Sequence, residues 1–135
     1  MGGVLIIDDE EDVRTAIREV LTRAGYDVRT ASDGQEGLAA QRQEPAAVVI
    51  TDIIMPEKDG IEAIREIRKE FPEVKIIAIS GGGGLSAVAY QPETIVTTAY
   101  LAAAKDVGAD RIFTKPFNRT ELIEAVAGLL TEQAL

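Results

Sequence analysis

Five side chains capable of chemistry follow or flank short apolar runs in this sequence. Asp52 lies within the segment VVITDIIMP, where its neighbours are apolar apart from one threonine. An ionised carboxylate in apolar surroundings costs roughly several kcal/mol unless a partner offsets it. Asp8 and Asp9 follow the run VLII, Ser80 follows KIIAI, and Lys115 precedes a proline. Asp52 therefore either caps a turn or takes part in a reaction.

The residue types that are missing narrow this chemistry. The 135 residues include no cysteine and no histidine. Disulfides, thiolate and imidazole metal sites, Ser-His catalytic groups and a phosphohistidine carried by this chain are therefore excluded. Carboxylates, lysine, hydroxyls and the backbone remain as the reactive groups.

Charge and hydropathy limit the partners and the location. The formal net charge of −9 argues against direct binding to nucleic acid or to an anionic membrane. No apolar run approaches the ~20 residues that a membrane helix needs, and the N-terminus lacks the features of a signal peptide. With 46% hydrophobic residues, the length suits one domain with a single core. We therefore expect one cytoplasmic domain over residues 1–135.

Short β-branched runs alternate with helical periodicities along the chain. Strands are predicted at residues 4–7, 26–30, 46–51, 74–79 and 111–114. Helical patterns follow each strand, at 13–21, around Gly37 and Leu38, at 61–68, at 100–107 and at 122–130. Gly25 and Gly108 stand where a left-handed residue would end the first and fourth helices, and Asn118 has capping spacing at the fifth.

This βα alternation predicts an α/β fold with a five-stranded parallel sheet and helices on both faces. The carboxyl ends of parallel strands share one edge of the sheet, and open α/β sheets bind their ligands at that edge. All five candidate side chains are therefore expected to meet there.

Each candidate also has an ordinary structural explanation. Asp8 or Asp9 could cap a helix beginning near Glu11, Ser80 could serve a turn, and Lys115 could be a solvated surface charge. Three carboxylates at one edge would repel one another by roughly a few kcal/mol per pair. Their convergence therefore requires a cation, and oxygen ligands on a shallow edge favour Mg²⁺ or Mn²⁺.

Four segments carry a family resemblance: LIIDDEEDV, VVITDIIMPEKDG, KIIAIS and GADRIFTKPF. In this order, over nearly the whole chain, they resemble the receiver domain of response regulators, the chemotaxis-type phosphoacceptor module of two-component signalling. The resemblance implies a flavodoxin-like (βα)5 three-layer sandwich with strand order 2-1-3-4-5. It also implies a signalling protein that catalyses only its own phosphorylation and dephosphorylation.

The resemblance assigns the acceptor and the metal ligands. Asp52 would accept a phosphoryl group from a histidine kinase or a histidine phosphotransfer protein. Asp9 and Asp52 would bind Mg²⁺ directly, Asp8 would bind it through water, and the backbone carbonyl of Ile54 would complete the protein ligands.

The resemblance also assigns the groups that read the phosphoryl group. Lys115 would contact its oxygens, Ser80 would hydrogen-bond to it after transfer, and the bond from Lys115 to Pro116 would be cis. The resulting change would reach the face formed by helix 4 and strand 5, where a downstream protein or a second copy would bind.

Two features depart from the family pattern. Ile112 stands where the family usually has an aromatic switch residue, and strand alternation predicts that the adjacent Phe113 is a core residue. A glycine-led insertion around residues 81–95 separates strand 4 from helix 4. Its composition is typical of a flexible surface insertion; the alternative hypothesis is that, beside the switch face, it affects partner choice or dimerisation.

Two other functions are compatible with parts of this sequence. A haloacid-dehalogenase-type phosphatase also uses a nucleophilic aspartate, but it would need a second acid at the position of Ile54. A pseudo-receiver that docks without phosphorylation is the stronger alternative. The combination of three acids, Ser80 and Lys115 argues against it. The sequence leaves open whether this receiver stands alone or belongs to a longer regulator.

Overall fold

Strands and helices alternate throughout the computed structural model, which describes residues 3–53, 60–80, 102–114 and 118–134. The strands are β1 (Gly3–Ile7), β2 (Asp27–Ala31), β3 (Val48–Asp52), β4 (Lys75–Ser80) and β5 (Arg111–Thr114). The helices are α1 (Glu11–Arg23), α2 (Gly34–Gln43), α3 (Gly60–Glu70), α4, of which residues 102–107 are described, and α5 (Arg119–Ala134). All paired strands are parallel, in the order β2-β1-β3-β4-β5. This confirms the predicted flavodoxin-like fold.

The third strand differs most from its predicted bounds of 46–51. Ala46 is held outside the sheet because its N–H donates to Oε1 of Gln41 (2.9 Å) and its carbonyl accepts from Nε2 of Gln41 (3.0 Å). At the other end, Asp52 is paired in register with Ile79 and is the last residue of β3. The other four strands differ from prediction by at most one residue at each end.

The core lies in two layers, one on each face of the sheet. On β1, Leu5 and Ile7 pack into one layer, whereas Val4 and Ile6 pack into the other. Helices α2, α3 and α4 cover the first layer, and α1 and α5 cover the second. Because both faces are covered, successive strand residues are apolar, and this explains the uninterrupted runs that the central strands show in the sequence.

Two glycines and an asparagine end or begin helices as predicted. Gly25 and Gly108 have φ angles of 101° and 127°, which are left-handed conformations that favour glycine. The side-chain oxygen of Asn118 accepts hydrogen bonds from the N–H groups of Thr120 (2.7 Å) and Glu121 (3.2 Å). Helix α5 therefore begins with the predicted asparagine cap.

A surface ion pair joins α2 to α3. The guanidinium of Arg42 donates to both carboxylate oxygens of Glu70, with Nε 2.8 Å from Oε1. This hydrogen bond lowers the pKa of Glu70 below its ordinary value of 4.5. The pair therefore contributes stability above that value, and the contribution is lost as the pH falls through the lowered pKa of the folded state. Both side chains are solvated, so the contribution is small.

A second arginine, Arg68, makes a larger set of hydrogen bonds. It lies at the amino-terminal edge of β4 and β5, opposite the carboxyl ends of the strands. Arg68 donates hydrogen bonds to three backbone carbonyls, those of Pro72 (2.8 Å), Val74 (2.7 Å) and Gly108 (2.7 Å). It also donates to Oδ2 of Asp110 (2.9 Å), which accepts the N–H of Ile76 (2.8 Å). We call Arg68 and Asp110 the Arg68 clamp. The clamp ties the end of α3 and the start of β4 to the segment that leads into β5.

The Arg68 clamp predicts a stability difference between two arginines. Arg68→Met leaves partly buried carbonyls and Asp110 without their donor, so we expect a loss of about 2 kcal/mol in the free energy of unfolding. Arg42→Met is the matched control, because it removes a solvated pair and should cost much less. Urea unfolding at pH 7 measures both variants, and equal losses would contradict the assignment.

Candidate functional site

The end of β3 brings a buried carboxylate to the carboxyl edge of the sheet. Asp52 is only 5% exposed. Its backbone is held by the pairing with β4, and this contact continues one residue further, where the N–H of Ile53 donates to the carbonyl of Ile79 (3.0 Å). The hydroxyl of Thr51 donates to the carbonyl of Asp52 (3.0 Å). The acid therefore stands on a rigid part of the sheet.

Asp8 occupies the corresponding place at the end of β1. Ile7 is paired in register with Thr51, so Asp8 and Asp52 are the next residues of two neighbouring strands. Asp8 is 1% exposed. Its N–H donates to the carbonyl of Ala31 (3.1 Å), and its own carbonyl accepts from Nη1 of Arg14 (2.8 Å). The backbone thus holds a second buried acid beside the first.

The third carboxylate at this edge comes from Glu10. Carboxylate oxygens of Asp8, Glu10 and Asp52 all lie within 4.8 Å of one another; we call these residues the acidic group. Asp9 is exposed and is not part of the acidic group, so its assignment as a metal ligand stays a prediction. Sequence reasoning passed over Glu10. The available signal was the acidic run at 8–12, since its third residue directly precedes α1.

Helix capping does not account for Asp8. The N-cap residue of α1 is Glu10, which has extended backbone angles and whose side chain makes no capping hydrogen bond. Oδ1 of Asp8 instead accepts the N–H of Glu10 (2.9 Å), within the turn that precedes the helix. This bond orders the turn and leaves the carboxylate facing its neighbours.

The acidic group fits a hard divalent cation. Two of its three carboxylates are buried, and like charges this close repel one another unless a cation or a proton intervenes. Carboxylate oxygens are the ligands that suit Mg²⁺ or Mn²⁺. Asp52 and Asp8 offer carboxylates to such an ion from the ends of two neighbouring strands.

A close backbone contact supports the carboxyl end of β3. Helix α3 begins at Gly60, whose N–H donates to the carbonyl of Ile53 (3.1 Å). A Cβ atom built on Gly60 would lie 2.2 Å from the carbonyl oxygen of Asp52 and 2.3 Å from Cα of Ile53. No side chain fits this space, so glycine is required where α3 meets the acid-bearing strand.

Several predicted site residues lie outside the part of the chain that the structure describes. These are Ile54, Lys115, Pro116 and the insertion at residues 81–95. For Ser80 the backbone is described, as the last residue of β4 in register with Thr114; its side chain is not. Their predicted roles stay predictions.

The two residues at the expected switch position lie on β5. Phe113 is half-buried and packs against the core layer beneath α1 and α5, which confirms its prediction as a core residue. Ile112 is 38% exposed and is the exposed large apolar side chain among the described residues. The opposite orientations follow from strand alternation.

Comparison with known proteins supports the resemblance to receiver domains. Residues 4–127 match the family model of the response regulator receiver domain. This chain belongs to the response-regulator receiver family. Among its relatives, the receiver is 36% identical over 124 residues to the chemotaxis protein CheY of Thermotoga maritima, covering 91% of this chain and 92% of CheY. It is 31% identical over 130 residues to the receiver protein CpdR of Brucella abortus, covering 96% and 98%.

Longer relatives and solved structures extend this comparison. The receiver is 32% identical to the transcriptional regulatory protein PhoP of Bacillus subtilis, over 94% of this chain but 48% of PhoP. A receiver-domain structure from Clostridium thermocellum superposes with a TM-score of 0.84 at 28% identity, covering 99% and 98% of the two chains. CheY4 of Vibrio cholerae gives 0.77 at 29% identity, covering 96% and 98%. In the part of this receiver that the structure describes, no helix has the length and apolarity to cross a membrane.

The contact at Gly60 predicts that this receiver does not tolerate a side chain at that position. Gly60→Ala must displace backbone at Asp52 and Ile53, so we expect a loss of about 1–3 kcal/mol in the free energy of unfolding and shifted amide resonances at these two residues. Gly128→Ala, in α5, is the control; nothing lies within 4 Å of its added Cβ, and it should stabilise by up to about 1 kcal/mol. Urea unfolding and NMR compare them. Equal stability of the two variants would contradict the predicted clash at Gly60.

Proposed function

We propose that this receiver is a phosphoacceptor switch, in which Asp52 takes a phosphoryl group from the phosphohistidine of a histidine kinase or a histidine phosphotransfer protein. The observation that carries the proposal is the acidic group in a chain of the receiver family: Asp52 is buried at the end of β3, beside a second buried acid. A sheet edge that holds carboxylates this close suits a reaction that needs a divalent cation.

Asp52 acts as the nucleophile. A carboxylate oxygen of Asp52 forms the new bond to phosphorus while the bond from phosphorus to the partner's imidazole nitrogen breaks, and the imidazole keeps that electron pair. Because the carboxylate attacks in its ionised form, no general base is required. The rigid backbone around Asp52 supplies positioning, on which phosphoryl transfer through a loose transition state depends.

The remaining roles extend the family resemblance to residues of this chain. Asp9 and Asp52 would hold Mg²⁺ directly, Asp8 would hold it through water, and the carbonyl of Ile54 would complete the protein ligands. The cation supplies neutralisation of the phosphoryl charge. Lys115 would contact the phosphoryl oxygens.

The structural change that follows phosphorylation would be transmitted through β5 and the elements next to it. Ser80 would hydrogen-bond to the new phosphoryl group, and a hydroxyl that moves toward the added charge biases a two-state equilibrium nearby. Exposed Ile112 on the edge strand β5 supports this face as a contact surface for a downstream protein or a second copy. We propose that residues 1–135 act as one domain, with residues 81–95 as an insertion beside that face.

The proposal is tested by incubation with a small phosphodonor and Mg²⁺ followed by intact mass measurement. The wild-type protein should gain one phosphoryl group, and removal of divalent cations should abolish the gain. Asp52→Asn should gain none. Asp27→Asn is the control, because Asp27 is exposed and begins β2 at the opposite edge of the sheet; it should behave as wild type.

The same experiment decides between phosphorylation and docking. A wild-type protein without an adduct, from the phosphodonor and from a panel of histidine kinases, would contradict phosphorylation and favour the pseudo-receiver. An adduct that persists in Asp52→Asn would instead show that another residue accepts the phosphoryl group.

We predict that shortening the insertion changes partner binding. Deletion of residues 85–91 removes apolar side chains from the segment that joins β4 to α4, next to the proposed switch face. We expect weaker partner binding or a changed oligomer size, measured by kinase and target binding assays and by size-exclusion chromatography with light scattering. Unchanged binding and unchanged size would refute this role.

A further inference from the structure

We infer that Glu10 contributes its carboxylate to the cation site of this receiver, in addition to the ligands that the family resemblance assigns. The inference rests on the proposed function, since it concerns the same cation. The observation behind it is the acidic group itself, in which Glu10 and the two buried acids lie within 4.8 Å of one another.

The conformation of Glu10 directs its side chain to this site. Its backbone is extended, with φ −94° and ψ 114°, and its side chain does not cap α1. Its N–H is held by Oδ1 of Asp8 at 2.9 Å. Glu10 is exposed, yet its carboxylate lies beside the two buried acids instead of extending into water.

The three carboxylates differ in how freely they can move. Asp8 and Asp52 project from backbone that is paired in the sheet, so their separation is set by the fold. Glu10 has a longer side chain at the solvent rim. A third negative charge beside the two fixed carboxylates raises the affinity of the site for a divalent ion.

The contribution of Glu10 is measured by Mn²⁺ binding to the unphosphorylated protein, using the EPR signal of free Mn²⁺ at fixed ionic strength. Glu10→Gln removes a unit charge a few Å from the divalent ion, so we expect the Kd to rise about tenfold. Glu11→Gln is the matched control. It removes the same charge one residue away, from the exposed first turn of α1 outside the acidic group, and should raise the Kd by less than about threefold because solvent screens it.

Two further variants separate this inference from the proposed function. Glu10→Asp keeps the charge and should restore most of the affinity, whereas a merely structural role would not distinguish it from Glu10→Gln. Asp52→Asn should raise the Kd at least as much as Glu10→Gln. Equal Kd values for Glu10→Gln and Glu11→Gln, with Asp52→Asn impaired, would overturn the role of Glu10 alone. A wild-type protein that binds no Mn²⁺ would overturn both the role of Glu10 and the proposed metal site.

Discussion

Repulsion between two buried carboxylates is the constraint around which this receiver is built. Asp8 and Asp52 follow paired residues of neighbouring parallel strands, so neither can move away without breaking the register of the sheet. Such an arrangement is unfavourable unless a cation shares the space. The same constraint underlies the proposed function, in which carboxylates held in place by the sheet would bind a metal ion and attack phosphorus.

The rest of the fold keeps this edge rigid. Two apolar core layers cover both faces of the sheet, and Gly60 lets α3 approach the backbone of Asp52 more closely than any side chain would allow. At the opposite edge, the Arg68 clamp joins the starts of β4 and β5. These two strands carry or lead to Ser80 and Lys115. The clamp therefore holds the starts of the two strands whose carboxyl ends would, under the proposed function, meet the phosphoryl group.

This receiver shares the architecture of its family, and two features of its side chains bear on the proposed function. Exposed Ile112 replaces the usual aromatic residue on β5, while Phe113 packs into the core. Glu10 adds a third carboxylate beside the two buried acids.

The sequence by itself determined the α/β class, the alternation of elements, the glycine and asparagine helix ends and the placement of Asp8 and Asp52 at strand ends, because each follows from local periodicity or turn chemistry. The strand order came from family resemblance, since periodicity does not state which strands pair. Only the tertiary structure decided that Gln41 holds Ala46 out of β3, that Arg68 reaches Asp110, and that Glu10 lies beside Asp52. These contacts depend on strand register and on side-chain conformation. Local sequence periodicity determines neither.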